Sequence, residues 1–89
     1  MNYTVFLHPK AAKELKKMEA SIQKRITECL RGLRENPETK GKRLTQSEFW
    51  SLRVGDHRAI YYIDPDKRKV VVLFVGHRNK VYDDFSKML

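Results

Sequence analysis

The sequence predicts an α+β domain with the order β-α-α-β-β-β, in which an antiparallel-dominated sheet carries two N-terminal helices on one face. Three observations lead to this fold class. Apolar residues recur at helical spacing from Ala11 to Leu33, alternating or continuous apolar runs extend from Phe49 to Gly76, and turn residues separate those runs. A chain of 89 residues suits one small domain, so we expect a single domain over residues 1–89.

The first third is predicted to form a strand and a helical hairpin. NYTVFL (residues 2–7) reads as a strand of about five residues, and Pro9 ends it in a position that suits the first turn of a helix, with His8 as its cap. Ser21 can cap a second helix, so we expect two helices rather than one. Their shared apolar stripe consists of Ala11, Leu15, Met18, Ile22, Ile26, Cys29, Leu30 and Leu33.

The segment ENPETKGKRLTQ (residues 35–46) shows no periodicity and collects Asn36, Pro37 and Gly41, which predicts a loop. The loop is basic at its centre, where Lys42 and Arg43 are candidate phosphate contacts. The alternative is that this flexible basic loop is simply solvated.

The last third predicts three strands joined by two tight turns. Gly55-Asp56 is typical of a two-residue hairpin turn with glycine first, and Asp64-Pro65-Asp66 is typical of a type I turn. The run KVVVLFVG (residues 69–76) is continuously apolar, which indicates a central strand covered on both faces.

A two-residue hairpin sets Arg53 directly opposite Arg58, on the same face of the sheet. Like charges so placed destabilise a sheet by some tenths of a kcal/mol unless they splay into water or an anion lies between them. Arginine forks suit a phosphate, so both explanations stay open. The face shared by the arginines is expected to hold Phe49, Ser51, Ile60 and Tyr62, and the core face Trp50, Leu52, Val54, Ala59, Tyr61 and Ile63.

His77 and Arg78 follow the apolar run immediately, and Tyr82 comes four residues later. Together they offer a proton-transfer group, a phosphate-binding group and a phenol at the exit of a central strand. Each of them alone is more often structural. Combined with the arginine pair on the neighbouring strands, they indicate a candidate site.

Composition narrows the classes of function. The net charge is +8 with 19 Lys and Arg against 11 Asp and Glu, which favours a polyanion such as nucleic acid over mere solubility. Cys29 is the only cysteine, and motifs for metal, nucleotide or serine-nucleophile chemistry are absent, so we expect no metal and no cofactor. The chain starts without a signal-peptide pattern and its apolar runs are too short to span a bilayer, so we expect a cytoplasmic protein that binds no membrane.

The stretches FWSLRVGDHRAIYYID and VVVLFVGHRNKVY resemble the RelE/ParE superfamily of toxins from prokaryotic toxin–antitoxin systems, and their combination resembles the RelE branch. The resemblance spans nearly the whole chain and implies a RelE-like microbial RNase fold. It also implies a ribosome-dependent, cofactor-free endoribonuclease that cuts mRNA in the ribosomal A site. Its partners would be a cognate antitoxin and the ribosome.

The resemblance assigns roles to individual residues. Arg58 and Arg78 would stabilise charge on the scissile phosphate, and Arg53 would be a further RNA contact. His77 would act as a general acid or base, and Tyr82 would stack on a base or assist proton transfer.

The sequence departs from some members of this superfamily at two positions before the hairpin turn. Those members carry two lysines where this chain has Phe49 and Ser51. Lys42 or Arg43 can supply the missing charge, and the identity of the general base stays open. A ParE-like toxin that inhibits DNA gyrase and a non-catalytic module that binds RNA or ribosomes are the two alternatives.

Overall fold

The computed structural model describes residues 2–80. It contains the strands β1 (Thr4–Leu7), β2 (Lys42–Arg43), β3 (Phe49–Val54), β4 (His57–Asp64) and β5 (Lys69–His77). Its helices are α1 (Pro9–Lys16), α2 (Ala20–Arg31), a 3-10 turn at Gly32–Arg34 and the short α3 (Pro37–Lys40). The five strands form one mixed sheet in the order β1-β5-β4-β3-β2, in which only β1 pairs parallel to its neighbour. The predicted α+β class is confirmed.

The start of α1 follows the prediction, and the start of α2 does not. The ring Nδ1 of His8 accepts a hydrogen bond from the backbone N–H of Lys10 (3.1 Å), which caps α1 at its proline-containing first turn. The predicted Ser21 cap is wrong, because α2 begins at Ala20 after Glu19, which makes no side-chain capping bond. The backbone N–H of Gln23 donates to the carbonyl of Glu19 (2.9 Å), so Ser21 lies within the first turn of the helix and not before it.

The two predicted faces of the β3–β4 hairpin are confirmed. Leu52, Val54, Ala59 and Tyr61 face the helices and join the main core, with Trp50 and Ile63 packed at its margin. Across from them lie the helical residues Ala11, Leu15, Ile26, Leu30 and Leu33. Burial of these side chains, at roughly 1.5–3 kcal/mol each, is the main force that holds the helices on this face.

The prediction of an irregular loop over residues 35–46 is wrong in part. Pro37 is buried and starts α3, and its carbonyl accepts a hydrogen bond from the Tyr61 hydroxyl (2.7 Å). Lys42 then pairs with Ser51, and Arg43 with Trp50, so β2 is an edge strand of the sheet. These contacts join residues that lie far apart in the sequence, so local periodicity does not predict them.

A bulge interrupts β5 and exchanges the faces of its side chains. Ile60 pairs with Phe74 whereas the next residue, Tyr61, pairs with Val72, so Leu73 is the extra residue. Val70, Val72 and, beyond the bulge, Val75 therefore face the helices. Phe74 lies on the opposite face, where it forms a second small cluster with Ile60.

Within residues 2–80, no helix is both long enough and apolar enough to cross a membrane.

Tyr61 gives the protein an expected sensitivity to alkaline pH. Burial raises the pKa of Tyr61 to about 12, and a backbone hydrogen bond from Gly41 acts in the opposite direction. Between pH 10 and pH 12 the unfolded chain loses this proton while the folded chain keeps it, so stability falls as pH rises. We expect the free energy of unfolding in urea to drop by about 1–1.5 kcal/mol between pH 9 and pH 11.

The matched control for this prediction is Tyr61→Phe, which keeps the ring and removes the ionisable hydroxyl. At pH 9 the free energy of unfolding of this variant should be about 1–2 kcal/mol below that of the wild type, because the buried Pro37 carbonyl loses its donor. Equal pH dependence of the two proteins above pH 10 would contradict the assignment.

Candidate functional site

The β3–β4 hairpin has the predicted two-residue turn and register. Gly55 adopts a positive φ of 61°, a conformation that glycine takes without steric cost, and Arg53 pairs with Arg58. The face opposite the helices therefore carries both arginines, as the sequence predicts.

The two guanidinium groups point toward opposite ends of this hairpin. Arg58 is half-buried, and its Nη1 donates to the hydroxyl of Ser51 (3.5 Å), away from the turn. Arg53 is exposed, and its Nε donates to the carbonyl of Gly55 in the turn (3.3 Å). This separation reduces the repulsion between the paired arginines, and it leaves Arg58 the more fixed of the two.

The structure separates the two basic candidates of β2. Lys42 pairs with Ser51 and so shares the face of Arg58. Arg43 pairs with Trp50, which packs against the helix-side core, and its Nε donates to the carbonyl of Ser47 (3.1 Å). Lys42 rather than Arg43 is therefore placed to supply the charge that this chain lacks at Ser51.

His77 lies on the other side of the sheet from Arg58. It pairs with His57, the two rings lie edge to face with centroids 6.0 Å apart, and His57 pairs in turn with the helix-facing Val54. Gly76, not His77, is the residue opposite Arg58. Gly76 is itself buried, and as a glycine it places no side chain of its own beside Arg58.

Arg78 is the first residue after β5 and is exposed. Its backbone N–H donates to the carbonyl of Asp56 (3.0 Å), which holds it beside the hairpin turn. Residues 78–80 are helical and are tied to α1 by Lys80, whose ammonium lies 3.2 Å from the Glu14 carboxylate. The hydrogen bond from Lys80 and the nearby Lys17 ammonium keep the pKa of Glu14 below its usual value. Tyr82 lies outside the described residues.

Two neighbours of the candidate site are identified by the structure. Ser51 is the hydrogen-bond partner of Arg58, and the hairpin register already places it on that face. His57 is the ring partner of His77, a pairing that depends on the bulge in β5. Residues 2–80 contain no cluster of three or more histidine, cysteine or acidic side chains arranged to hold a metal ion.

Around Ser51 and the hairpin turn, the described face thus presents two arginines and one lysine, with the serine hydroxyl between Arg58 and Lys42. Planar guanidinium groups bind the oxygens of a phosphodiester in a bidentate manner, and lysine binds them as a point charge. The arrangement can therefore bind an RNA or DNA backbone and stabilise negative charge that develops on a phosphate.

The element order and this cationic face agree with the class of toxins to which the sequence motifs point, the RelE/ParE superfamily. A family model described as "ParE toxin of type II toxin-antitoxin system, parDE" matches residues 5–82. The chain belongs to this family, and the predicted superfamily membership is confirmed.

Individual relatives carry RelE names. A protein of Methanocaldococcus jannaschii named as toxin RelE1 is 30% identical over 87 residues, which cover 92% of this chain and 97% of the relative. A chain of the toxin–antitoxin complex RelBE2 from Mycobacterium tuberculosis is 32% identical, with a TM-score of 0.78 over 86% of this chain and 92% of that one. A mutant of the E. coli toxin RelE in the free state has a TM-score of 0.80 over 100% and 99% of the two chains, and at 23% identity this likeness concerns the fold.

Proposed function

We propose that this toxin is a ribosome-dependent endoribonuclease that cuts mRNA without a cofactor. The observation that carries the proposal is the position of Arg58, half-buried on a sheet face that it shares with Arg53 and Lys42 and hydrogen-bonded to Ser51. A preorganised guanidinium of this kind stabilises the anionic transition state of phosphodiester cleavage.

RNA carries its own nucleophile, so the protein has little covalent chemistry to perform. The 2′-hydroxyl loses its proton and attacks the adjacent phosphorus, the bond to the 5′-oxygen breaks, and the leaving oxygen takes up a proton. The products are a 2′,3′-cyclic phosphate and a 5′-hydroxyl. Arg58 neutralises the phosphate during this step, and Lys42 adds charge next to Ser51.

For the two proton transfers we keep the residues that the sequence predicts, His77 and Tyr82. A histidine can serve either transfer near neutral pH. His77 is at the exposed end of β5, on the helix side and one residue beyond Gly76, which pairs with Arg58. To act on the phosphate at Arg58, it requires the RNA to reach around this end of the strand. Arg78, beside the hairpin turn, would bind phosphate at the same end.

Two partners belong to the proposal. The ribosome would hold the mRNA in its A site and so provide most of the positioning, which is worth several kcal/mol in favourable cases. A cognate antitoxin would bind and silence the toxin, because a similar chain occurs in a toxin–antitoxin complex. Binding to these two partners would require a cytoplasmic protein.

A second candidate function follows from the description of the matching family, which names ParE rather than RelE. A ParE-like toxin would inhibit DNA gyrase and would not cut RNA. The cationic face would then bind a different partner, and His77 and Arg78 would have no catalytic role.

The deciding experiment incubates the purified toxin with ribosomes that carry a defined mRNA and maps the RNA ends. We expect cuts within the A-site codon, with 5′-hydroxyl and cyclic phosphate ends, and none when ribosomes are omitted. A gyrase supercoiling assay runs in parallel. Inhibition of gyrase together with intact mRNA would reject the proposal and favour the ParE-like activity.

A further inference from the structure

Lys10 of α1 reaches the sheet face that carries Arg58. β1 ends opposite Val72, and the next N–H, that of His8, donates to the Val72 carbonyl (2.8 Å), so α1 begins beside the second half of β5. The ammonium of Lys10 lies 5.0 Å from the centroid of the Phe74 ring. Because the bulge turns Phe74 away from the helical core, this contact places a helix lysine at the margin of the cationic face.

Lys10 and Lys42 lie at the two ends of one cross-strand row. Phe74 pairs with Ile60, Ile60 with Ser51, and Ser51 with Lys42, so the row crosses four adjacent strands. Its length is three strand spacings, about 14 Å. Arg58 lies two residues along β4 from the middle of this row, and cations are thus present at both ends and beside the centre.

The position of Lys10 is electrostatically unfavourable for α1 itself. The first turn of that helix contains no acidic residue, and a cation there opposes the positive end of the helix dipole. Glu14, the acidic residue of α1, pairs with Lys17 and Lys80, and within residues 2–80 the exposed Lys10 has no carboxylate partner. The aromatic ring of Phe74 holds this ammonium at the edge of the site.

We propose that Lys10 binds a backbone phosphate of the RNA next to the one at Arg58. The substrate strand then crosses the sheet at right angles to the β-strands, from Lys42 on β2 to Lys10 above β5. This inference rests on the proposed function and adds a direction for the RNA and a positioning residue. A lysine in this role binds the phosphate whatever the base, so it lowers the KM for mRNA without acting in the chemical step.

The test compares Lys10→Met with Lys16→Met in ribosome-dependent cleavage of one defined mRNA. Methionine keeps the apolar cover over Phe74 and removes the charge. Lys16 is an exposed lysine of the same helix, and six residues of helix turn it by about 240° from Lys10. Both variants have the same net charge, so they differ only in where the charge is lost.

For Lys10→Met we expect KM to rise about 3- to 5-fold with kcat unchanged. The negative slope of log(kcat/KM) against log[salt] should become shallower by about 0.7, the value for one phosphate on a single strand. Lys16→Met should match the wild type in both measures, and Lys10→Arg should restore the wild-type KM.

Two outcomes would overturn the inference, and they are distinguishable. Cleavage by the wild type with equal KM and salt slope in the two methionine variants would reject the role of Lys10 alone. Absence of wild-type cleavage would reject the proposed function, and the role of Lys10 with it. A lower thermal midpoint without a change in salt slope would count as the first outcome, because a purely structural lysine would behave in that way.

Discussion

Replacing Arg58 with alanine is expected to lower kcat for mRNA cleavage about 100- to 1000-fold, which is the usual cost of removing one preorganised donor from a charge-stabilising site. Expression of this variant should no longer stop bacterial growth. In the proposed site the half-buried guanidinium, bonded to Ser51, would neutralise the scissile phosphate, and solvent could not replace it in the same geometry. Quench-flow or gel-based cleavage rates on programmed ribosomes measure the effect.

Two further variants make this prediction specific. Arg58→Lys keeps the charge but loses the planar fork, so it should recover only part of the rate. Arg53→Ala removes the opposed arginine, which is exposed and bonded to its own turn, and should lower the rate by less than about 10-fold because a solvent-exposed cation is strongly screened.

Folding of these variants serves as the internal control. Removal of the exposed Arg53 relieves the like-charge pair, so the thermal midpoint of Arg53→Ala should stay level or rise slightly. Arg58→Ala also loses the hydrogen bond to the buried Ser51, so its midpoint should fall, and its folded state is checked by circular dichroism. A folded Arg58→Ala protein with near wild-type cleavage would show that another group stabilises the scissile phosphate.

Gly41→Ala is expected to destabilise the fold by about 3 kcal/mol, since overpacking of a tight contact commonly costs 1–3 kcal/mol or more. A Cβ at this position would meet the carbonyl oxygen of Ser51 at 2.7 Å and the hydroxyl of Tyr61 closer still. Ser51 is in a central part of the hairpin, and Tyr61 is fully buried and bonded to Pro37, so neither atom can move freely. Urea unfolding followed by circular dichroism measures the change.

Gly32→Ala is the matched control for this substitution. The nearest side-chain atom to a Cβ at Gly32 is 4.0 Å away, and its φ of −61° suits any residue. Alanine there should be neutral or stabilise by up to about 1 kcal/mol, because it restricts the unfolded chain. Equal stabilities of the two alanine variants would contradict the proposed close packing.

A double substitution tests which contact dominates at Gly41. Tyr61→Phe removes the hydroxyl but leaves the Ser51 carbonyl in place, so the Gly41→Ala penalty should shrink in that background without disappearing. Because Gly41 precedes Lys42, the same packing fixes the lysine on the edge strand. Loss of this packing around Gly41 should also reduce mRNA cleavage by the protein that remains folded.

The hairpin was predictable because its determinants are local. Gly55 permits the positive φ of a two-residue turn, and once the turn is in place the register of every pair in β3 and β4 follows. The opposition of Arg53 and Arg58 and the inward side of Leu52 are consequences of that turn. The motif around the same turn also identified the superfamily correctly.

Other features of the site depend on contacts between distant segments. The basic segment at Lys42 has no periodicity of its own, and it becomes a strand only because α3 is anchored by Tyr61 and β3 offers a free edge. Lys10 lies in the first third of the chain, and its place beside Phe74 requires the packing of α1 along β5.

The side of the sheet on which His77 lies could not be predicted from the sequence. Alternation continued from Val72 through an unbroken β5 would place His77 on the face of Arg58, whereas the extra residue at Leu73 places it opposite His57 among the helix-facing positions. A continuous run of valine, leucine and phenylalanine contains no local mark of a bulge, since every residue in it suits either face. The sequence by itself therefore determined the fold class, the hairpin and the arginine face. Only the tertiary structure decided which basic groups join Arg58, because neighbouring strands and α1, not nearby residues, set the bulge and the edges of the sheet.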